Sequence, residues 1–210
     1  MLTLPEELVL LAIDTESGAV SSCGSRLSYA LAGSVLAELL LGGHIRIADN
    51  RVEISIVPYP GSVVADAYDH ISREPGRSLK HWVERLAAKL HIREQALAAL
   101  GARGILHDED RHFLVFHYHR YPLDQVQIRE ELRQRLRGAL LVSGNARDKA
   151  LAALAEPCGL LRRAFGHDEW HEHKKAAADM ARAWPISAAV LKVAEEMDAA
   201  IVAATVGMYG

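Results

Sequence analysis

At 210 residues the chain is long enough to bury a sizeable core within one domain, and its 50% hydrophobic content excludes wholesale disorder. A net charge of −3 and a pI near 6.4 argue against a general nucleic-acid binder, which carries a basic excess. Aromatic residues make up only 6%, so the core rests on Leu, Ala, Val and Ile, the composition of a helical protein.

Residues 1–20 hold four acidic and no basic residues, which does not describe a signal peptide. No apolar run approaches the roughly 18–20 residues that span a bilayer, and the longest, Ala199 to Met208, reads as a buried C-terminal helix. Cys23 and Cys158 lie far apart and lack metal-ligand spacing; they read as free thiols of a reducing compartment, with a bridge left open.

The first helix opens on a capping box, Thr3 with Glu6, and Pro5 is tolerated in its first turn. A second helix, Leu31 to Leu41, is apolar on nearly every face and so predicted to be buried all round; Gly42 and Gly43 end it. Ile45-Arg46-Ile47 and Val52 to Ile56 alternate at period two around Asp49-Asn50 and predict a hairpin. Pro58-Tyr59-Pro60-Gly61 and Glu74-Pro75-Gly76 are turn clusters. Ser78 caps a helix from Leu79 to about Leu90, and another runs from Ile92 to Leu100. A second hairpin pairs Gly104-Ile105-Leu106 with Phe113-Leu114-Val115-Phe116 around Asp108-Glu109-Asp110. Asp124 caps a helix reaching Arg137, and residues 145–206 form further helices broken near Pro157-Cys158-Gly159 and at Trp184-Pro185. The expected fold is mainly α: a single helical-bundle domain over 1–210, with two β-hairpins near 44–57 and 104–117.

Candidate chemistry is sparse. His167 and His171, four apart, share a helix face and suit a transition metal, but the order of a zincin is absent and the segment is polar enough for an exposed loop or helix start. Alternation places His117 and His119 on one face of the second hairpin and His112 on the other, so the three do not converge. There is no nucleophile elbow and no phosphate loop. No catalytic residue, metal or cofactor is assigned. Residues 73–103 do form a locally basic stretch, seven Lys or Arg against three Glu, which also suits a solvated helix surface.

Several blocks carry a resemblance through their order and spacing. They are Leu4-Pro5-Glu6-Glu7-Leu8, Tyr29-Ala30-Leu31-Ala32-Gly33, Ala37-Glu38-Leu39 and Gly43-His44-Ile45, followed by Trp82-Val83-Glu84-Arg85-Leu86, Ile92-Arg93-Glu94, Arg103 to Leu106, Phe113 to Phe116 and Pro122-Leu123. Together they resemble the Golgi phosphoprotein 3 family, in a minimal, bacterial-type form; beyond about Asn145 the likeness is one of pattern. The resemblance implies a non-enzymatic, cytoplasmic, peripheral membrane protein that recognises phosphatidylinositol 4-phosphate. It also implies cytosolic tails of membrane proteins as partners and self-association through the second hairpin.

In that family the headgroup pocket uses a tryptophan before the second helix, an arginine on it, and two arginines at the start of a later helix. These positions fall here at about Cys23, at Ala32, near Leu90 and at Arg93. Only Arg93 is retained, so the implied headgroup-binding residues are Arg93, helped by Lys89 and Arg26. A charge-assisted hydrogen bond contributes about 1.5–3 kcal/mol, so the missing arginines imply weak or altered binding of anionic phospholipid. The rival reading from the helix-pair-plus-hairpin layout is a winged-helix-like nucleic-acid binder. Acidic hairpin turns argue against it, since a wing on DNA presents Lys or Arg.

Overall fold

The computed structural model describes residues 1–21, 23–55, 63–113, 116–141 and 144–208, with side chains placed for all of these except 111–113, 116–118 and 205–208. The chain is mainly α, as its composition predicts. Helix α1 (Leu4–Ala12) is buried at every position, and α2 (Ser25–Leu41) is buried from Tyr29 to Ala37 and touches α1, α7 and α10. Around them lie α3 (Val63–Arg73), α4 (Leu79–Lys89), α5 (Ile92–Ala102), α6 (Val126–Leu140), α7 (Ala146–Ala155), α8 (Leu160–Phe165), α9 (His167–Ala183) and α10 (Pro185–Met208). A 3₁₀ turn, Glu156–Cys158, joins α7 to α8.

Local chemistry explains the starts and stops. Thr3 N–H donates to Glu6 Oε2 at 2.6 Å, the expected capping box. Ser78 Oγ accepts from His81 N–H and Asn145 Oδ1 from Asp148 N–H, opening α4 and α7. Gly43, at φ +73°, turns the chain out of α2. Gly33 sits mid-helix because a Cβ there would come within 2.7 Å of Val190 Cγ2 and 2.8 Å of Leu154 Cδ2, so glycine lets α10 and α7 close on α2.

The first hairpin forms as predicted. Strand β1 (Ile45–Ala48) pairs antiparallel with β2 (Arg51–Ile54) across Asp49 and Asn50, both at positive φ as a primed two-residue turn requires. The second differs. Strands β3 (Glu109–Phe113) and β4 (Phe116–Arg120) pair with Glu109 opposite Arg120 and Asp110 opposite His119. The acids 108–110 therefore stand at the base of this ladder rather than in a turn, and the hairpin covers 109–120 rather than 104–117. The cause is cross-strand charge: acids opposite a cation and an imidazole favour this register, which a polar-run reading takes for a turn. It also pairs His112 with His117, so those two positions share a face instead of opposing each other. Whether Phe113 to Phe116 packs in the core lies outside the described side chains, as does the turn cluster at 58–61.

Two further expectations are corrected. Asp124 does not cap α6, whose cap position is Gln125; its carboxylate instead pairs with His107 Nδ1 at 2.9 Å. The C-terminal helix exists but is not buried along its length: Ile186, Val190 and Val193 are buried, whereas Ile201 and Val202 are 55% and 62% exposed. The helix outruns the body that its first half packs on. No helix among the described residues is long and apolar enough to cross a membrane.

Candidate functional site

Helix α4 ends at Lys89, the extended Leu90 and the cap residue His91 follow, and α5 begins at Ile92, so Arg93 is the second residue of α5. A helix start carries partial positive charge and unsatisfied N–H groups, which adds to the arginine's own charge. Arg93 lines an open notch of about 210 Å³ bounded by Ser28 and Leu31 of α2, Ala87 of α4 and the Leu90–His91 connector. On its other flank it lines a cavity of about 340 Å³ with Val20, His119 and Tyr121.

Glu94, read in the sequence only as part of a family block and of the mixed-charge stretch, controls the charge here. Arg93 Nη2 donates to Glu94 Oε1 at 2.7 Å and Nε to the same oxygen at 3.1 Å. Burial alone would raise the Glu94 carboxyl, but the Arg93 bond and its own backbone N–H hold it below the usual carboxylate range. A carboxylate thus already occupies the place that an incoming anion would take.

The other sequence-predicted residues separate. Lys89 is exposed on the last turn of α4, on the same corner as Arg93. Arg26, in the first turn of α2, is held elsewhere: its guanidinium pairs with Asp198 of α10 and donates to Pro157 O at 3.2 Å. Leu90 lines the notch, but Ala32 is fully buried, so no side chain from that position reaches it. Cys23 is half-buried against Cys158. The Cys158 S–H bond, with Arg163 and Arg26 nearby, lowers the Cys23 thiol to about 7 despite burial. The same bond and burial push Cys158 up. His167 and His171 face each other on α9 with ring centroids 6.5 Å apart, and no group of three or more donors able to hold a metal occurs among the described residues.

Other recognisable blocks turn out to be framework. Glu38 accepts Leu4 N–H at 2.7 Å and Arg147 Nη1 at 2.9 Å, while Arg147 Nη2 donates to Leu2 O at 2.7 Å. Buried Glu7 and Asp148 share Arg135, with Nη1 to Glu7 Oε1 at 2.6 Å and Nε to Asp148 Oδ1 at 2.9 Å. Trp82 is fully buried beneath the Arg85 guanidinium, 5.8 Å from its ring centre.

The sequence profile of Golgi phosphoprotein 3 (GPP34) matches residues 4–197. The chain belongs to this family. It is 27% identical over 158 residues to vacuolar protein sorting-associated protein 74 of Schizosaccharomyces pombe, covering 64% of this chain and 47% of that protein. To the protein of the same name from Eremothecium gossypii it is 24% identical over 163 residues, 67% of this chain and 49% of the other. The chain spans about half the length of the curated relatives it matches. Both are fungal, and the expected bacterial type draws no support from them. Nothing in the fold or the matches favours the winged-helix alternative.

Proposed function

We propose that this GPP34-family protein is a non-enzymatic module that attaches peripherally, from the cytoplasm, to membrane surfaces bearing anionic phospholipid. Phosphatidylinositol 4-phosphate is among the headgroups it meets, and recognition is weak. The observation that carries the reading is Arg93 at the start of α5, on the rim of an open notch. Lys89 adds charge from the same corner, and Arg26 adds it from the start of α2 only at the expense of its pair with Asp198. A basic residue beside an anionic surface contributes about 1 kcal/mol, enough for reversible attachment when two or three act with an apolar contact. The apolar contact is at hand: Ser28 and Ala87 line both the notch and a cavity of about 550 Å³ whose far wall is α10 with the exposed Met197. Cytosolic tails of membrane proteins as partners, and self-association through the β3–β4 hairpin, belong to the proposal on family resemblance.

Flotation with neutral, phosphatidylglycerol, phosphatidylinositol and phosphatidylinositol 4-phosphate vesicles tests it. Retention on the charged vesicles should fall as salt rises, because screening shortens from ~10 Å at 0.1 M. Arg93→Ala should weaken retention more than Arg182→Ala, which removes an equal charge from exposed α9. Equal flotation on neutral and charged vesicles would end the reading.

A further inference from the structure

Away from the α5 corner, three arginines converge on one cavity. Arg129 and Arg133 of α6 and Arg163 of α8 line a space of about 310 Å³ whose floor includes Phe165, buried at the end of α8. Gly166, the cap of the 17-residue helix α9, closes one side, and Thr15 stands on the rim. The volume falls at the lower end of small-ligand pockets, which run from about 300 Å³.

Each guanidinium is anchored by one Nη1 bond and left otherwise unbonded among the described residues. Arg129 donates to Ile13 O at 2.5 Å, Arg133 to Glu130 Oε2 at 2.9 Å, and Arg163 to Ser21 Oγ. Arg133 Nε is buried without a partner. This is a set of donors held in place by the framework, with forks remaining for a planar or tetrahedral anion.

The charge is unbalanced. Glu130 is the one acid on the lining, and it is shared with Gln134 at 3.0 Å and Arg137 at 3.6 Å on the far side. Three arginines face one shared carboxylate on the lining, with Asp14 acting on Arg129 and Glu169 on Arg133 from outside it, and like charges this close repel less when an anion sits between them. The Arg129 guanidinium is held below the ordinary range by burial first and by Arg133 next, with Asp14 pulling the other way. The first-turn N–H groups of α9 add positive character on the Gly166 side, offset in part by Asp168 and Glu169 of the same turn.

We infer that the cavity between α6, α8 and the start of α9 is a second anion site, built for the dianion of a phosphate monoester. A phosphate monoester dianion offers three terminal oxygens to several forks at once, whereas a diester offers only two. The site is separate from the Arg93 notch and shares none of its residues. Its phosphate comes either from a soluble phosphate ester or from a monoester lipid headgroup.

Titration calorimetry of the full chain with inorganic phosphate and with glycerol 3-phosphate, at constant ionic strength set by sodium chloride, tests the site. Binding should be lowered about tenfold or more by Arg133→Gln and again by Arg163→Gln, as the loss of one charge-assisted hydrogen bond implies, and left unchanged by Arg182→Ala, which removes an exposed charge from α9 outside the cavity. Circular dichroism of each variant establishes that it folds; Arg163→Lys, which keeps the charge but loses the fork, serves if a glutamine variant does not. Flotation on phosphatidic acid against phosphatidylglycerol vesicles separates the sources. A preference for phosphatidic acid that Arg163→Gln abolishes assigns a lipid headgroup; binding of the free esters with no such preference assigns a soluble ligand. No heat beyond that of the salt control, or binding retained in the folded Arg133→Gln/Arg163→Gln double variant, overturns the inference.

Discussion

Arg93 and Glu94, neighbours in the chain, neutralise each other at the start of α5: Nη2 and Nε of the arginine donate to one carboxylate oxygen at 2.7 and 3.1 Å. An anion approaching the notch must compete with this carboxylate. Glu94→Gln should therefore strengthen binding to anionic vesicles, by about 1 kcal/mol or roughly fivefold, with a steeper salt dependence. Adding Leu90→Arg, at a position that already lines the notch, should strengthen it further. Ala32→Arg should not, because it would place a guanidinium in the core. Flotation of these variants decides; Glu94→Gln without effect would mean that Arg93 is not the contact.

Gly33→Ala should destabilise the fold by about 1–3 kcal/mol, the usual result of overpacking, since the new methyl would lie within 2.8 Å of both Val190 and Leu154. Gly101→Ala is the matched control. It too lies in a helix, yet its Cβ would meet only Leu106 at 3.8 Å, and alanine is the better helix former by up to about 1 kcal/mol. Thermal unfolding should show opposite shifts for the two variants.

Removing Arg135 leaves two buried carboxylates, Glu7 and Asp148, without their shared cation. Loss of one partner from a fully buried pair costs about 3–5 kcal/mol; here Arg147 stays within 3.5 Å of Glu7 and Arg135 is partly exposed, so the loss should fall below that range. Burial already raises Glu7 above the ordinary carboxylate range against the pull of both arginines, so the Arg135→Ala protein should regain part of the loss in mild acid, where Glu7 is protonated. Urea midpoints at neutral and mildly acidic pH measure both effects.

The base of the second hairpin should be pH-sensitive. His107 is raised by its bond to Glu109 and then by Asp124, and His119 by Asp108. A histidine raised in the folded state contributes fully below its unfolded value of about 6.5 and loses that contribution as pH rises through the folded value. Stability should thus fall above about pH 6.5 more in the native chain than in a His107→Gln/His119→Gln variant. Parallel pH profiles for the two proteins would contradict this.

Cys23 should be the reactive thiol. With its pKa lowered to about 7 by the Cys158 S–H bond and Arg163, its rate of alkylation should follow a titration centred there, while Cys158 stays inert. Cys158→Ala removes the donor and should shift that titration upward, which mass spectrometry of iodoacetamide-treated protein resolves.

Short-range physics is written in the chain order, and those elements were legible without coordinates. The Thr3–Glu6 cap, the Asp49–Asn50 turn, the Ser78 cap and the breaks at Pro157–Gly159 and Trp184–Pro185 each depend on a few adjacent residues. So did the buried character of α2, because an all-round apolar helix has no exposed face to offer. The blocks that mark the family were visible too, but not their roles, since Glu38 and Arg147 meet across a separation of 109 residues.

What required the folded molecule were choices among partners. The polar run 108–110 suits a turn or a strand equally, and only Arg120 and His119 opposite it select the strand. Arg26, Lys89 and Arg93 are equivalent charges in a sequence; folding ties the first to Asp198, leaves the second in solvent and sets the third against Glu94. Arg129, Arg133 and Arg163 become one basic cavity through the packing of α8 against α9 and of α9 against α6. Charge acts through distance in space, and along a chain of 210 residues that distance is unknown until the helices pack.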